Sequence, residues 1–134
     1  MERLRILVVD DSLDTARTLT YLLRDSGHLA EYAINGASAL ELAKRHRPEL
    51  VLIDIGLPDY DGVKLAKDMK NTPGLGHVRI IALTGRNSDD EERGLAAGCE
   101  LFLTKTVDPR TLEKTILRLA EGPISAKATP LGGG

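Results

Sequence analysis

Three aspartates stand where short apolar runs stop. Leu4–Asp10 (LRILVVD) ends on the pair Asp10 and Asp11, and Glu49–Ile55 (ELVLIDI) carries Asp54 near its C-terminal end. Two further runs end on groups that handle anions: VRIIAL (78–83) is followed by Thr84, and Glu100–Thr104 by Lys105. Carboxylates gathered in one crevice repel one another, and protonation or a hard divalent cation with oxygen ligands relieves the repulsion. Magnesium is the natural candidate, since two carboxylates, a backbone carbonyl and waters satisfy its near-octahedral demand. Asp54 stands alone at its strand end, so one oxygen could stay clear of metal and attack phosphorus, giving an acyl phosphate. The Thr84 hydroxyl and the Lys105 ammonium could then hold oxygens of the transferred group. Taken singly, each residue has a plainer explanation: Asp11 as a helix cap, Thr84 as a strand-terminal hydroxyl, Lys105 as a surface lysine. Their joint placement at strand ends carries the argument.

These residues share a crevice only if their runs are parallel strands of one sheet. The runs are short and largely apolar, and the first is rich in β-branched residues, as strands buried on both faces are. Between them the apolar spacing turns helical. From Ser12, Leu13, Ala16, Leu19, Leu22 and Leu23 mark an amphipathic helix, with Gly27 as its natural cap. His28–Ile34 predicts a short edge strand, and Ala37, Leu40 and Ala43 a second helix that Pro48 ends. Leu57–Gly62 (LPDYDG) is a loop directly after Asp54, in which Asp61 does turn and capping work. Val63, Ala66 and Met69 follow on one helical face. Ser88 with Glu91 forms a capping box for a helix running towards Gly98. Asp108–Pro109 opens a last helix carrying Leu112, Ile116 and Leu119. Five strands alternating with five helices predict an α/β fold, a parallel sheet covered on both faces. In such sheets ligands bind at the C-terminal strand edge. Residues 122–134 (GPISAKATPLGGG), with four Gly and two Pro, predict a flexible tail behind one domain spanning 1–121.

Composition removes other classes. The 134 residues carry 18 Lys+Arg against 20 Asp+Glu, with 42% hydrophobic and 3% aromatic residues. No run reaches the roughly 20 apolar residues of a membrane span. Neither a basic stripe nor a stacking platform for nucleic acid is present, so direct nucleic-acid binding is not expected. Cys99 alone cannot build a disulfide framework, and His28, His46 and His77 are too scattered for a zinc site. Met1–Glu2–Arg3 runs directly into a strand-like segment, so no secretory leader is expected, and a cytoplasmic setting is expected.

The residues together resemble a family. VVDDS with Asp10 and Asp11, LIDIGLPDYDG around Asp54, IALT with Thr84 and LTK with Lys105 are similar to the receiver domain of two-component response regulators, over roughly residues 4–121. The resemblance implies a (βα)5 doubly wound fold of flavodoxin-like strand order 2-1-3-4-5. It implies that Asp54 is the phosphoacceptor and that Asp10, Asp11, Asp54 and the Gly56 carbonyl hold Mg²⁺. Thr84 and Lys105 then contact the phosphoryl group, and Thr84 with Phe102 form the switch. The implied donor is a histidine kinase or histidine phosphotransfer protein, and the output is contact with a downstream protein target. A homodimer stays open. The chain is not expected to be an enzyme beyond its own phosphoryl transfer and dephosphorylation.

Two positions depart from the family pattern. Thr106 follows Lys105 where the family usually has a proline joined by a cis bond. A cis bond before a non-proline costs roughly 2.5–4 kcal/mol, so a trans peptide and a differently shaped loop are predicted. Gly56 has no side chain to shield a phosphoryl group on Asp54, which predicts a short-lived phosphorylated form. Three settings remain open: a stand-alone regulator, a phosphate relay, or the receiver of a larger protein such as a hybrid kinase. A competing class is a degenerate receiver that binds a partner without phosphorylation. Enzymes of related folds fit less well, because VVDDSLD is neither a flavodoxin phosphate loop nor a P-loop. Gly56 also stands where an Asp-based phosphatase needs a second aspartate.

Overall fold

The computed structural model describes residues 3–55, 57, 60–84, 101–104 and 109–120. The strands are β1 (Arg5–Val9), β2 (Leu29–Ala33), β3 (Leu50–Asp54), β4 (Arg79–Thr84) and β5 (Leu101–Thr104). They pair in parallel in the order β2-β1-β3-β4-β5. The central strands are buried on both faces, as their continuous apolar runs require: Ile6, Leu7, Val8 and Val9 of β1 and Val51, Leu52 and Ile53 of β3 have no exposed surface.

Helices α1 (Leu13–Asp25), α2 (Gly36–His46) and α3 (Gly62–Lys70) cover the sheet. Leu7, Val9, Val51, Ile53, Ile80 and Ala82 form one core with Ala39 and Ala43 of α2 and Leu65, Ala66 and Met69 of α3. The alternate residues Ile6, Val8, Leu52 and Ile81 point to the opposite face. There α1 packs on β1 and β2 and buries Ala16, Thr20 and Leu23. Thr20 occupies its buried position by donating its hydroxyl to the Ala16 carbonyl at 2.7 Å. Leu13, counted above on the apolar face, is 44% exposed.

Caps fix where these helices start, and hence where the strand ends open. Ser12 caps α1, its hydroxyl accepting from Thr15 N at 3.3 Å. Asn35 caps α2 by accepting from Ser38 N, and Asp61 caps α3 by accepting from Val63 N at 2.9 Å. The plainer explanation of Asp11 as the first cap is thereby corrected, because Ser12 takes that position. At the far end of α2, Arg47 is left-handed (φ 52°) and Pro48 follows, so the helix stops where the proline demands it.

The chain divides into two compact units, Arg3–Lys105 and a unit that includes Thr106–Gly134. In the second, Pro109–Ala120 is helical, beginning on the predicted first-turn proline. The helix expected from Ser88 towards Gly98 lies outside the described residues. So do Asp108 and the tail 122–134.

Candidate functional site

Parallel pairing brings the aspartates together. Val9 of β1 stands opposite Ile53 of β3, so the next residues along each strand are Asp10 and Asp54. One carboxylate oxygen from each of Asp10, Asp11 and Asp54 lies within 4.8 Å of the others. Asp10 is fully buried, Asp54 is 2% exposed, and Asp11 faces solvent. Asp10 is held at both ends of its residue. Its amide donates to the Ala33 carbonyl at 3.1 Å, and its Oδ1 accepts from Ser12 N at 2.9 Å. The second bond closes a short turn that feeds the chain directly into the α1 cap.

Asp54 is the last residue of β3, and its register partner on β4 is Leu83. The loop after it has a tight neck. Ile55 N donates to Leu83 O at 3.0 Å, and Gly62 N donates to Ile55 O at 3.2 Å. A Cβ on Gly62 would lie 2.6 Å from Ile55 Cα and 2.7 Å from Asp54 O, so only glycine lets the first residue of α3 approach this closely. Thr84 ends β4 opposite Thr104 of β5, and Phe102 pairs with Ala82. Thr84 therefore reaches the same sheet edge as Asp10 and Asp54. Gly56, Lys105 and Thr106 lie outside the described residues.

Two buried carboxylates and a solvent-facing third are a donor set suited to a hard divalent cation. Buried like charges are costly alone, and oxygen ligands open to water on one side match what Mg²⁺ requires. The residues fit the cation on this geometry.

One side chain of the site loop carries more than the sequence signalled. Tyr60 donates its hydroxyl to Asp68 Oδ2, Lys64 Nζ lies 3.3 Å from the same oxygen, and that ammonium stands 5.4 Å from the Tyr60 ring centroid. The hydrogen bond to Asp68, helped by burial, raises the Tyr60 pKa. The same bond, followed by Lys64, holds the Asp68 carboxyl below its usual range, although burial pulls the other way. The hydrogen bond to Asp68 and its charge raise the Lys64 pKa. The spacing Tyr60, Lys64, Asp68, four residues each, is the one sequence signal that could have marked the cluster.

Residues 6–117 match the response regulator receiver domain family. The chain belongs to that family. This receiver is 36% identical to the polar-differentiation response regulator DivK of Brucella anthropi over 110 residues, 81% of this chain and 89% of that protein. Among solved structures it is similar to the chemotaxis response regulator CheY4 of Vibrio cholerae, with a TM-score of 0.82, 28% identity, and coverage of 88% of this chain and 99% of that one. It also resembles the signal receiver domain of a signal transduction histidine kinase from Syntrophus aciditrophicus, with a TM-score of 0.79, 30% identity, and coverage of 95% and 97%. The chain is thus a receiver domain of two-component signalling. Among the described residues no helix is long and apolar enough to cross a membrane.

Proposed function

We propose that this receiver, with the family's full (βα)5 winding, is a phosphorylation-controlled switch whose phosphoacceptor is Asp54. The observation that supports it is the convergence of Asp10, Asp11 and Asp54 within 4.8 Å at the C-terminal edge of the sheet. A carboxylate oxygen of Asp54 attacks the phosphorus of a phosphohistidine on a kinase or phosphotransfer protein. The N–P bond breaks, its electron pair goes to the imidazole nitrogen, which takes up a proton, and an acyl phosphate forms on Asp54. Asp10, Asp11, Asp54 and the Gly56 carbonyl would hold Mg²⁺, which would supply charge neutralisation for the transferred phosphoryl group. Thr84 and Lys105 hold the remaining phosphoryl oxygens. The chain performs this chemistry on itself alone and is not an enzyme for other substrates.

Output follows as a population shift: contacts made by Thr84 with the phosphoryl group favour one arrangement of Thr84 and Phe102 over another, which a downstream protein reads. Gly56 leaves the acyl phosphate open to water and keeps the signal short. Intact-mass measurement after incubation with acetyl phosphate tests the reading. Wild type should gain one phosphoryl group only when Mg²⁺ is present, and Asp54→Ala should gain none. No gain in a folded wild type that binds Mg²⁺ would favour a phosphorylation-independent binding module.

A further inference from the structure

We propose that Tyr60 is a positioning residue: it latches the loop after Asp54 to the N-terminus of α2 and to the last turns of α3, and so fixes the Asp54 side of the carboxylate cluster. The proposal rests on the reading of that cluster as a metal and phosphoryl site. Three contacts define the latch. The phenol reaches Asp68 two turns along α3, Lys64 closes over the ring while pairing with Asp68, and the ring lies flush against Gly36, the first residue of α2. The space beside Gly36 is filled by Tyr60 Cβ, Cγ and Cδ2, so any side chain there would collide with Tyr60, first at its Cβ and then at the ring. Gly36 has no positive φ, and its small size therefore answers to the ring and not to backbone conformation.

Both strands of the site connect to this point. The β2–α2 junction begins at Ala33, whose carbonyl accepts the Asp10 amide at 3.1 Å, and ends three residues later at Gly36 under Tyr60. The loop that holds Tyr60 starts at Ile55 and is closed by Gly62 against Asp54 O. Asp10 is therefore tied to the junction through the backbone, and Asp54 is tied to the same junction through Tyr60. A carboxylate pair set for a small, geometrically strict cation needs such a brace, because support around the ligands governs metal affinity.

The test uses the full chain as wild type, Tyr60→Phe, Tyr60→Ala and Gly36→Ala. Two quantities are read: the Mg²⁺ dissociation constant by calorimetry, and amide hydrogen exchange at Ile55 and Gly62. Tyr60→Ala and Gly36→Ala should each weaken Mg²⁺ by about tenfold, the scale seen when groups supporting metal ligands are removed, and should speed exchange at both amides. Tyr60→Phe, which keeps the ring on Gly36, should restore most of the affinity. Unchanged exchange at Ile55 and Gly62 in Tyr60→Ala would overturn the latch. If melting temperatures fall while Mg²⁺ affinity and exchange hold, Tyr60 is structural only. A wild type that binds no Mg²⁺ would sink the metal reading of the cluster, and exchange alone would then decide the latch.

Discussion

Asp54 and Asp10 are ionisable groups kept where water hardly reaches them, at a distance where like charges repel strongly. That arrangement stores a cost in the metal-free protein that removal of one charge should release. Asp54→Asn is expected to raise stability without Mg²⁺ by about 1–3 kcal/mol, the size of a like-charge interaction at this range in an intermediate dielectric. It should also abolish the stabilisation that added Mg²⁺ gives wild type; urea unfolding with and without Mg²⁺ measures both. Tyr60 supports a pH-dependent expectation. The Asp68 carboxyl lies below its ordinary value of 3.8 because Tyr60 donates to it, so its contribution is present above that value and fades as pH falls through the lowered one. The Tyr60 hydroxyl, raised above 10.0 by the same bond, contributes below that value and loses its contribution as pH rises through the raised one. Tyr60→Phe should therefore cost roughly 1 kcal/mol at about pH 7, the worth of one such hydrogen bond. The difference should shrink by about pH 3 in paired urea titrations.

Two positions at element ends make contrasting expectations. Gly62 begins α3 against the Asp54 and Ile55 backbone, which cannot step aside as a side chain could. Gly62→Ala should destabilise by about 1–3 kcal/mol, the range of overpacking in a tight core, and should slow phosphorylation by acetyl phosphate. Arg47 ends α2 in the left-handed region, where a side chain is strained and glycine is not. Its carbonyl accepts from Arg5 Nε at 2.8 Å, a bond that glycine at 47 preserves. Arg47→Gly should accordingly raise stability by about 1 kcal/mol, read from the urea midpoint. Elements were the most legible level of this sequence. Apolar runs gave the strands to within a residue or two at their ends, and Pro48 and Pro109 marked a helix stop and a helix start. Caps were less legible, because Asp11 and Ser12 are both good caps and only the Asp10–Ser12 turn decides between them. The carboxylate cluster was visible because its members end separate strands. Tyr60 was not, since its partners Gly36 and Asp68 lie on different helices and a tyrosine in a turn reads as an ordinary turn residue.

At the scale of the whole molecule, the strand register does what no single residue can, bringing residues 10 and 54 side by side. The parallel order of the sheet is also what makes Thr84 a neighbour of that edge, since β4 lies next to β3. Register and strand order together gather the three aspartates at one end of the sheet. The central claim, that this end accepts a phosphoryl group on Asp54, is tested most directly by locating the modification. After incubation with acetyl phosphate and Mg²⁺, reduction of the acyl phosphate with borohydride converts the modified aspartate to homoserine, which peptide mass spectrometry can place. The conversion should fall on Asp54 alone and vanish when Mg²⁺ is chelated. Conversion at Asp10 or Asp11, or a phosphoryl group that resists borohydride and maps to another residue type, would contradict it.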